Sequence, residues 1–367
     1  MRIIDGDGHV IEGKGASLLL EHLPEEYRDA RVRLVFPEID HLHVEPVRMV
    51  EDAGVNLGVG PKEWGEFLVD VGIEASVLYP SNGLSVGLIS SPDWAIAATR
   101  AYNDWLHAEY TSTNPALHGM ALLPLQDPQA AVDELRRAVE DLGFKGAMLP
   151  ATGIGPALGS TVHWPVYAEA ERLGCAIAVH GGSAHGLGFD DMGVRPGGHA
   201  LAHPFGVLIS LTSMLFNGVF DHFPGLRVAY LEGGVAWLLV ALERFDRSYS
   251  THIPFNPRGQ LLQLDEGQTV ADHLAALVDG GRLVVGCEGE EPDLVRAVSV
   301  LGSRGFMFSS DFPHEVSAQM CKHELAEITG NEQLTWGQRT DILAGSAARF
   351  YRLDPPASPQ PAGGMYG

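Results

Sequence analysis

Lysine is scarce in this chain. Only four of the 24 basic residues are lysine (Lys14, Lys62, Lys145, Lys322), and they are scattered. Against 47 acidic residues, the basic ones leave a formal net charge of −23. No basic stripe exists to neutralise phosphates, which argues against nucleic acid as a partner and against an acidic membrane surface. Cysteine is equally sparse. Cys175, Cys287 and Cys321 are odd in number and far apart, so they form neither a disulfide frame nor a Cys-rich zinc motif. The opening MRIIDGDGHV has no charged-then-apolar leader. The longest apolar stretches, Phe205–Phe216 and Ala236–Leu242, fall short of the ~18 residues of a bilayer span. These absences predict a cytoplasmic, acidic globular protein with reduced thiols and no membrane partner.

What is present suits a large core: 45% of the 367 residues are hydrophobic and 19% charged. At ~150 residues per domain the length suggests two domains, but α/β barrels exceed that as one unit. Short apolar runs alternate with helix-period segments along the chain. Strand candidates start at Arg2, Ala75, His118, Gly146, Ala176, Arg227, Leu283 and Phe306. Near-continuous apolar strands separated by helices argue for βαβ units and a parallel sheet. Eight strands predict a (β/α)8 TIM barrel. The alternative, an open doubly wound sheet, lacks its phosphate fingerprint, because Gly6-Asp7-Gly8 has no third glycine and no following helix. The expected organisation is one barrel over residues 1–353. It has an insertion at about 12–60 after strand 1 and a Gly- and His-rich loop, Gly181–Pro204, after strand 5. A Pro/Gly-rich tail follows at 354–367. Phe205–Phe220 reads as one long apolar helix, for the core or a subunit contact.

Barrel chemistry collects beyond the C-terminal strand ends. Asp7 and His9 follow the first strand; period-2 alternation points both into the mouth, as metal ligands or as a polar turn. His180 ends the fifth strand before two glycines, as a ligand or a satisfied core histidine. Glu232 ends the sixth strand, where an unpaired carboxylate is unfavourable. Asp311 follows the eighth, in FMFSSDFPH, with His314 three residues on. Glu12 reads as a ligand of a second ion or a partner of His9, and His203 as a substrate contact, a proton donor or a helix-entry residue. His185 and His199 read as loop-surface residues. Cys287 and Glu288 follow strand 7, Cys287 reading as a buried thiol.

These residues sit in D-G-D-G-H-V-I-E (Asp5–Glu12), V-H-G-G (Val179–Gly182), F-P-G-L-R-V-A-Y-L-E-G-G (Phe223–Gly234) and S-S-D-F-P-H (Ser309–His314). With them the chain resembles, over nearly its whole length, the metal-dependent amidohydrolase superfamily. Within that superfamily it resembles the branch that contains aminocarboxymuconate-semialdehyde and resorcylate decarboxylases. The resemblance implies that Asp7, His9, His180 and Asp311 hold the metal. Three departures stand out. Asp7 replaces the first histidine of the common H-x-H pair, and Glu232 replaces a strand-6 histidine. Lys145 lies at the start of strand 4, the wrong end for the bridging lysine of the binuclear branch.

Glu232 and Asp311 would then activate a water, on one or two divalent ions of zinc, manganese or iron. That predicts a metal-dependent hydrolase attacking an acyl or carbonyl carbon of a small organic acid derivative. A metal-dependent non-oxidative decarboxylase of an aromatic or muconate-like acid is the second reading, and a metal-free binding module the third. A homodimer is expected from the apolar helix and the tail.

Overall fold

The computed structural model describes residues 1–12, 19–28, 35–37, 58–184, 186–189, 192, 195–256, 261–314 and 316–353. Eight parallel strands follow one another in sequence order: β1 (Ile4–Val10), β2 (Ala75–Pro80), β3 (Leu117–Leu122), β4 (Gly146–Pro150), β5 (Ala176–His180), β6 (Arg227–Leu231), β7 (Leu283–Cys287) and β8 (Phe306–Phe308). Helices pack between and outside them: α1 (Pro61–Val71), α2 (Pro92–Leu106), α3 (Pro128–Glu140), α4 (Trp164–Leu173), α5 (Arg195–Phe216), α6 (Ala236–His252), α7 (Val270–Asp279) and α8 (Leu294–Leu301). The result is a (β/α)8 barrel. Its strand residues, such as Val77, Met148, Ile177 and Val228, are fully buried, as apolar runs covered on both faces require.

Helix starts follow local chemistry. Ser91-Pro92 and Asp127-Pro128 open α2 and α3, each with the side-chain oxygen accepting an otherwise orphaned N–H and proline in the first turn. Thr269 and Asp272 form a capping box on α7.

Two sequence expectations change. The apolar segment Phe205–Phe220 is not one helix: α5 runs from Arg195 to Phe216, Gly218 turns left-handed (φ 71°), and a single turn Val219–His222 follows. By length and composition Pro196–Phe216 matches a bilayer span, yet it packs on β5, β6 and α6 as a helix of the barrel. Three helices beyond β8 had no counterpart in the sequence reading: α9 (Ala318–Gly330), α10 (Trp336–Thr340) and α11 (Ser346–Tyr351). Most of the 12–60 insertion, His185 and the 354–367 tail lie outside the described residues.

The first strand is longer than the sequence suggested and carries a bulge. Asp5 pairs with Ser76 and Gly8 with Leu78, so β1 spends one extra residue around Gly6-Asp7. Gly8 is required there, since a Cβ would lie 2.5 Å from the Trp64 ring and 2.6 Å from Ser76 Oγ. The seam between β1 and β8 is closed just past β8. Asp311 N–H donates to Asp7 O (3.0 Å) and His9 N–H to Phe312 O (2.7 Å). Asp5, fully buried, accepts from Ser310 N–H (2.8 Å) and Oγ (2.8 Å) on one side and Ser76 Oγ (2.6 Å) on the other. From the C-terminal helix, Tyr351 O–H donates to Gly6 O (2.8 Å).

Burial pushes the Asp5 carboxyl up to about 6, against the hydrogen bonds from Ser76 and Ser310. Removing this acceptor in Asp5→Ala strands several buried donors and should lower the unfolding free energy by about 3 kcal/mol or more, read by urea denaturation. Asp5→Asn retains one acceptor and has no charge. The folded-state value lies above the ordinary one, so wild-type stability from this group is lost as pH rises between about 4 and 6. Asn therefore gains on wild type across that window, and a difference that stays flat would refute the assignment.

Candidate metal centre

The floor of the barrel mouth holds Asp7, His9 and His180, all essentially inaccessible. Pro80 O accepts the His9 Nδ1–H (2.9 Å), which fixes the tautomer and leaves Nε2 facing the mouth. That nitrogen lies 3.1 Å from Glu232 Oε1 and 3.6 Å from both Asp7 Oδ1 and Asp311 Oδ1, without the alignment of a hydrogen bond. His180 donates from Nδ1 to Gly181 O (2.8 Å) and turns Nε2 to Asp7 Oδ1 (3.3 Å). Asp7 Oδ2 is buried with no partner.

These residues fit a divalent cation. Donors each ~2.1 Å from an ion are roughly 3.0 Å apart at right angles and roughly 3.4 Å apart at the tetrahedral angle, and the separations here, 3.1 to 3.6 Å, lie within that range or just beyond it. Three carboxylates sharing a nearly dry pocket require positive charge. Two groups of donors are present, Asp7/His9/His180 and His9/Glu232/Asp311/His314. The two groups share His9, whose Nε2 is its free ring nitrogen, so the described donors form one continuous cluster.

The rim is wetter than the floor. Glu232, Asp311, His314 and His203 keep some solvent contact, on the side from which a substrate would enter. Glu232 is the first residue beyond β6 and Asp311 lies three past β8; both have left-handed backbones, φ 57° and 53°. For non-glycine residues this conformation is strained by about 1–3 kcal/mol each, and two of the three instances among the described residues fall on candidate donors, the third being Arg352 at the end of the last helix. His203, in the first half of α5, places Nδ1 2.6 Å from Glu232 Oε2. Burial alone would raise the Glu232 pKa, but His180 and His203 hold it well below the usual carboxylate range. For His180, burial pulls downward and the carboxylates of Glu232 and Asp7 outweigh it, pushing the imidazole to about 10.

Of the residues singled out from sequence, Asp7, His9, His180, Glu232, Asp311 and His203 thus meet in one mouth. Glu12 does not join them. Its carboxylate turns to the β2 end, accepting from Ser81 N–H (3.3 Å), Asn82 N–H (2.9 Å) and Gly83 N–H (3.0 Å). Those amides fully engage it, so the expected role as a ligand is replaced by anchoring the β2 turn. His199 is exposed. Cys287 is a buried thiol donating to Met307 O (3.5 Å), its pKa raised by burial. Glu288 is exposed at the mouth's edge, near the carboxylates of Glu291, Glu324, Asp311 and Glu232.

Two participants had no assigned role. His314 donates from Nδ1 to Asp311 Oδ1 (2.7 Å), meets Ser81 Oγ through Nε2 (2.8 Å), and stacks 4.2 Å from the His9 ring. Its signal was its place in S-S-D-F-P-H. Asp5, two residues before Asp7, was visible only as a further acid in an apolar strand.

Residues 75–353 match the family described as amidohydrolase (Amidohydro_2). The chain is 24% identical over 277 residues to the 2-amino-3-carboxymuconate-6-semialdehyde decarboxylase of Dictyostelium discoideum, covering 73% of this chain and 70% of that one. It is 26% identical over 289 residues to the gamma-resorcylate decarboxylase of Rhodococcus jostii, covering 74% and 82%. The fold is that of the 5-carboxyvanillate decarboxylase of Novosphingobium aromaticivorans, solved with manganese and 4-hydroxy-3-methoxy-5-nitrobenzoic acid. That match has a TM-score of 0.73, 18% identity and 96% coverage of both chains. The expected hydrolase reading is corrected by these findings, since the relatives are decarboxylases.

Metal binding should displace a proton from His180. Because its metal-free value is raised to about 10, Mn²⁺ affinity should climb with pH from 6.5 to 8.5, by up to about tenfold per unit. His180→Ala should weaken Mn²⁺ binding by about tenfold or more and flatten that dependence. Calorimetric titration reads both, and unchanged affinity in the variant would remove His180 from the centre.

Proposed function

Because this chain belongs to the amidohydrolase family, we propose that it is a metal-dependent, non-oxidative decarboxylase of a small aromatic or muconate-like acid. The observation that carries the reading is a cation-shaped donor set at the strand ends of a chain whose relatives decarboxylate such acids along nearly three quarters of its length. When bound, a divalent ion held by Asp7, His9, His180 and Asp311 supplies positive charge for the substrate carboxylate and a neighbouring oxygen. Two imidazoles and two carboxylates suit zinc, manganese or iron, and the manganese bound in the 5-carboxyvanillate decarboxylase supports manganese among them.

Loss of CO2 leaves the electron pair of the broken C–C bond on carbon, which takes up one proton. Asp311, a carboxylate that accepts from His314 Nδ1–H, takes that proton from His314 and passes it to the carbon. Its Oδ1 is 2.7 Å from His314 Nδ1, and His314 Nε2 is 2.8 Å from Ser81 Oγ, so a proton given up by Asp311 is replaced along this path. His203, paired with Glu232 at 2.6 Å, faces the entering substrate and binds one of its oxygens.

The pairing also explains why Glu232 fails as a water-activating base. An effective base needs a pKa near the operating pH, whereas in the metal-free protein His180 and His203 hold this carboxylate well below the usual carboxylate range. The strand-6 acid therefore organises imidazoles instead of taking protons.

The test is a turnover in D2O with candidate 2-hydroxybenzoates and a muconate-type acid. CO2 release with one deuterium on the vacated carbon is expected. Asp311→Asn should lower kcat by about 10³-fold while Mn²⁺ still binds, the upper part of the range for a lost general acid. Oxygen from labelled water in an acid product, with no CO2, would overturn the reading.

We also propose a homodimer, with the second copy covering Phe205 and Ile209, which lie one turn apart on α5 and are 47% and 39% exposed. Light scattering at micromolar concentration should give twice the chain mass, and Phe205→Glu should reduce it to one. A monomeric wild type would rule this out.

A further inference from the structure

Glu232 carries a left-handed backbone at a point where the sheet no longer supports it. The ladder from β6 to β7 ends at Tyr230–Val285, two residues before Glu232. Such a conformation persists only where its surroundings over-determine it. The next two residues are glycines for steric reasons. A Cβ on Gly233 would lie 2.6 Å from Val207 Cγ2 and 2.7 Å from Trp237 Nε1, and Gly234 has φ 62°. Packing therefore shapes the turn from the α5 and α6 sides, and a separate contact holds its β7 side.

That contact is Glu291, in the turn that leads from β7 to α8. Its Oε2 accepts Val235 N–H at 2.6 Å, and its Oε1 accepts Glu288 N–H at 2.8 Å. One carboxylate thus bridges the turn after β6 to the turn after β7, in the place where a main-chain rung would have come next. A Cβ on Gly234 would stand 3.1 Å from Glu291 Oε2, so the approach is close. We infer that Glu291 is a positioning residue: by bridging Val235 N–H and Glu288 N–H it holds the strand-6 turn that keeps Glu232 against His9 and His203. Glu291 touches neither ion nor substrate, and no feature of the sequence motifs marks it. The inference rests on Glu232 belonging to the cation's surroundings and not on decarboxylation, so an inactive wild type would leave it standing.

Glu291→Ala and Glu291→Gln decide the matter through two readouts that need no turnover: the crystal structure of each metal-free variant and its Mn²⁺ dissociation constant. In Glu291→Ala the Glu232 carboxylate should move by about 1 Å or more from His9, a displacement large enough to matter in an active site. Mn²⁺ should bind about tenfold more weakly, the effect of losing a group that orients a ligand. Glu291→Gln keeps one acceptor oxygen and should fall between Ala and wild type in both. If Glu291→Ala does not fold, Glu291→Gln carries the test with smaller changes in the same directions. A merely structural role would lower stability in urea while leaving Glu232 in place and Mn²⁺ affinity within twofold. Either of those two results overturns the inference.

Discussion

Closing the barrel between β1 and β8 is the constraint on which the rest depends. β8 is only three residues long and its regular ladder runs to β7 alone. Contact with β1 is made instead by the chain just past β8, through Asp311 N–H to Asp7 O and His9 N–H to Phe312 O. The three residues named there as Asp7, His9 and Asp311 are also three of the cation donors. The same main-chain bonds that seal the sheet set the relative positions of those side chains. Asp5 locks the arrangement from below by gathering Ser76 and Ser310 across the seam. Barrel closure and centre assembly are one event, which places the donors on rigid elements.

This coupling accounts for where the strain sits. The bulge in β1 re-aims Asp7 and His9, and the left-handed residues Glu232 and Asp311 re-aim their strand ends. A regular parallel barrel would point alternate side chains in and out without bringing an imidazole within 3.1–3.6 Å of three carboxylates. Holding those charges together opposes folding, and the main-chain bonds around each donor offset it. A divalent cation relieves the repulsion, so the protein is built to be completed by one.

Much of this was legible in the sequence, for a physical reason. Each strand is buried on both faces, so AIAVH and RVAYLE read as apolar runs, and the polar residue that ends each run has nowhere to project except the mouth. That logic picks out His180, Glu232 and Asp311 without reference to three-dimensional contacts. It misplaced Glu12 because the amides of Ser81, Asn82 and Gly83 belong to a turn 70 residues away, whose geometry has no local signature. It gave no role to His314, which folds back only because the turn Asp311–His314 closes on itself. The extra helices past β8 escaped notice because strand counting stops at eight.

The correction away from hydrolysis comes from the decarboxylase relatives, and the charges around Glu232 are consistent with it. A glutamate at the end of strand 6 invites the role of base when read alone. In place, it is flanked by His180 at 3.6 Å and His203 at 2.6 Å, with His9 on its other oxygen. His180 and His203 beside this carboxylate favour its charged form in the metal-free protein. The proposed proton path runs instead through Asp311, which has His314 and Ser81 behind it. A hydrolase would need a base beside a water; a decarboxylase needs an acid beside a carbon. Glu232 is paired with imidazoles on both oxygens, and Asp311 stands at the rim beside His314 and Ser81, which is the arrangement the proposed decarboxylation uses.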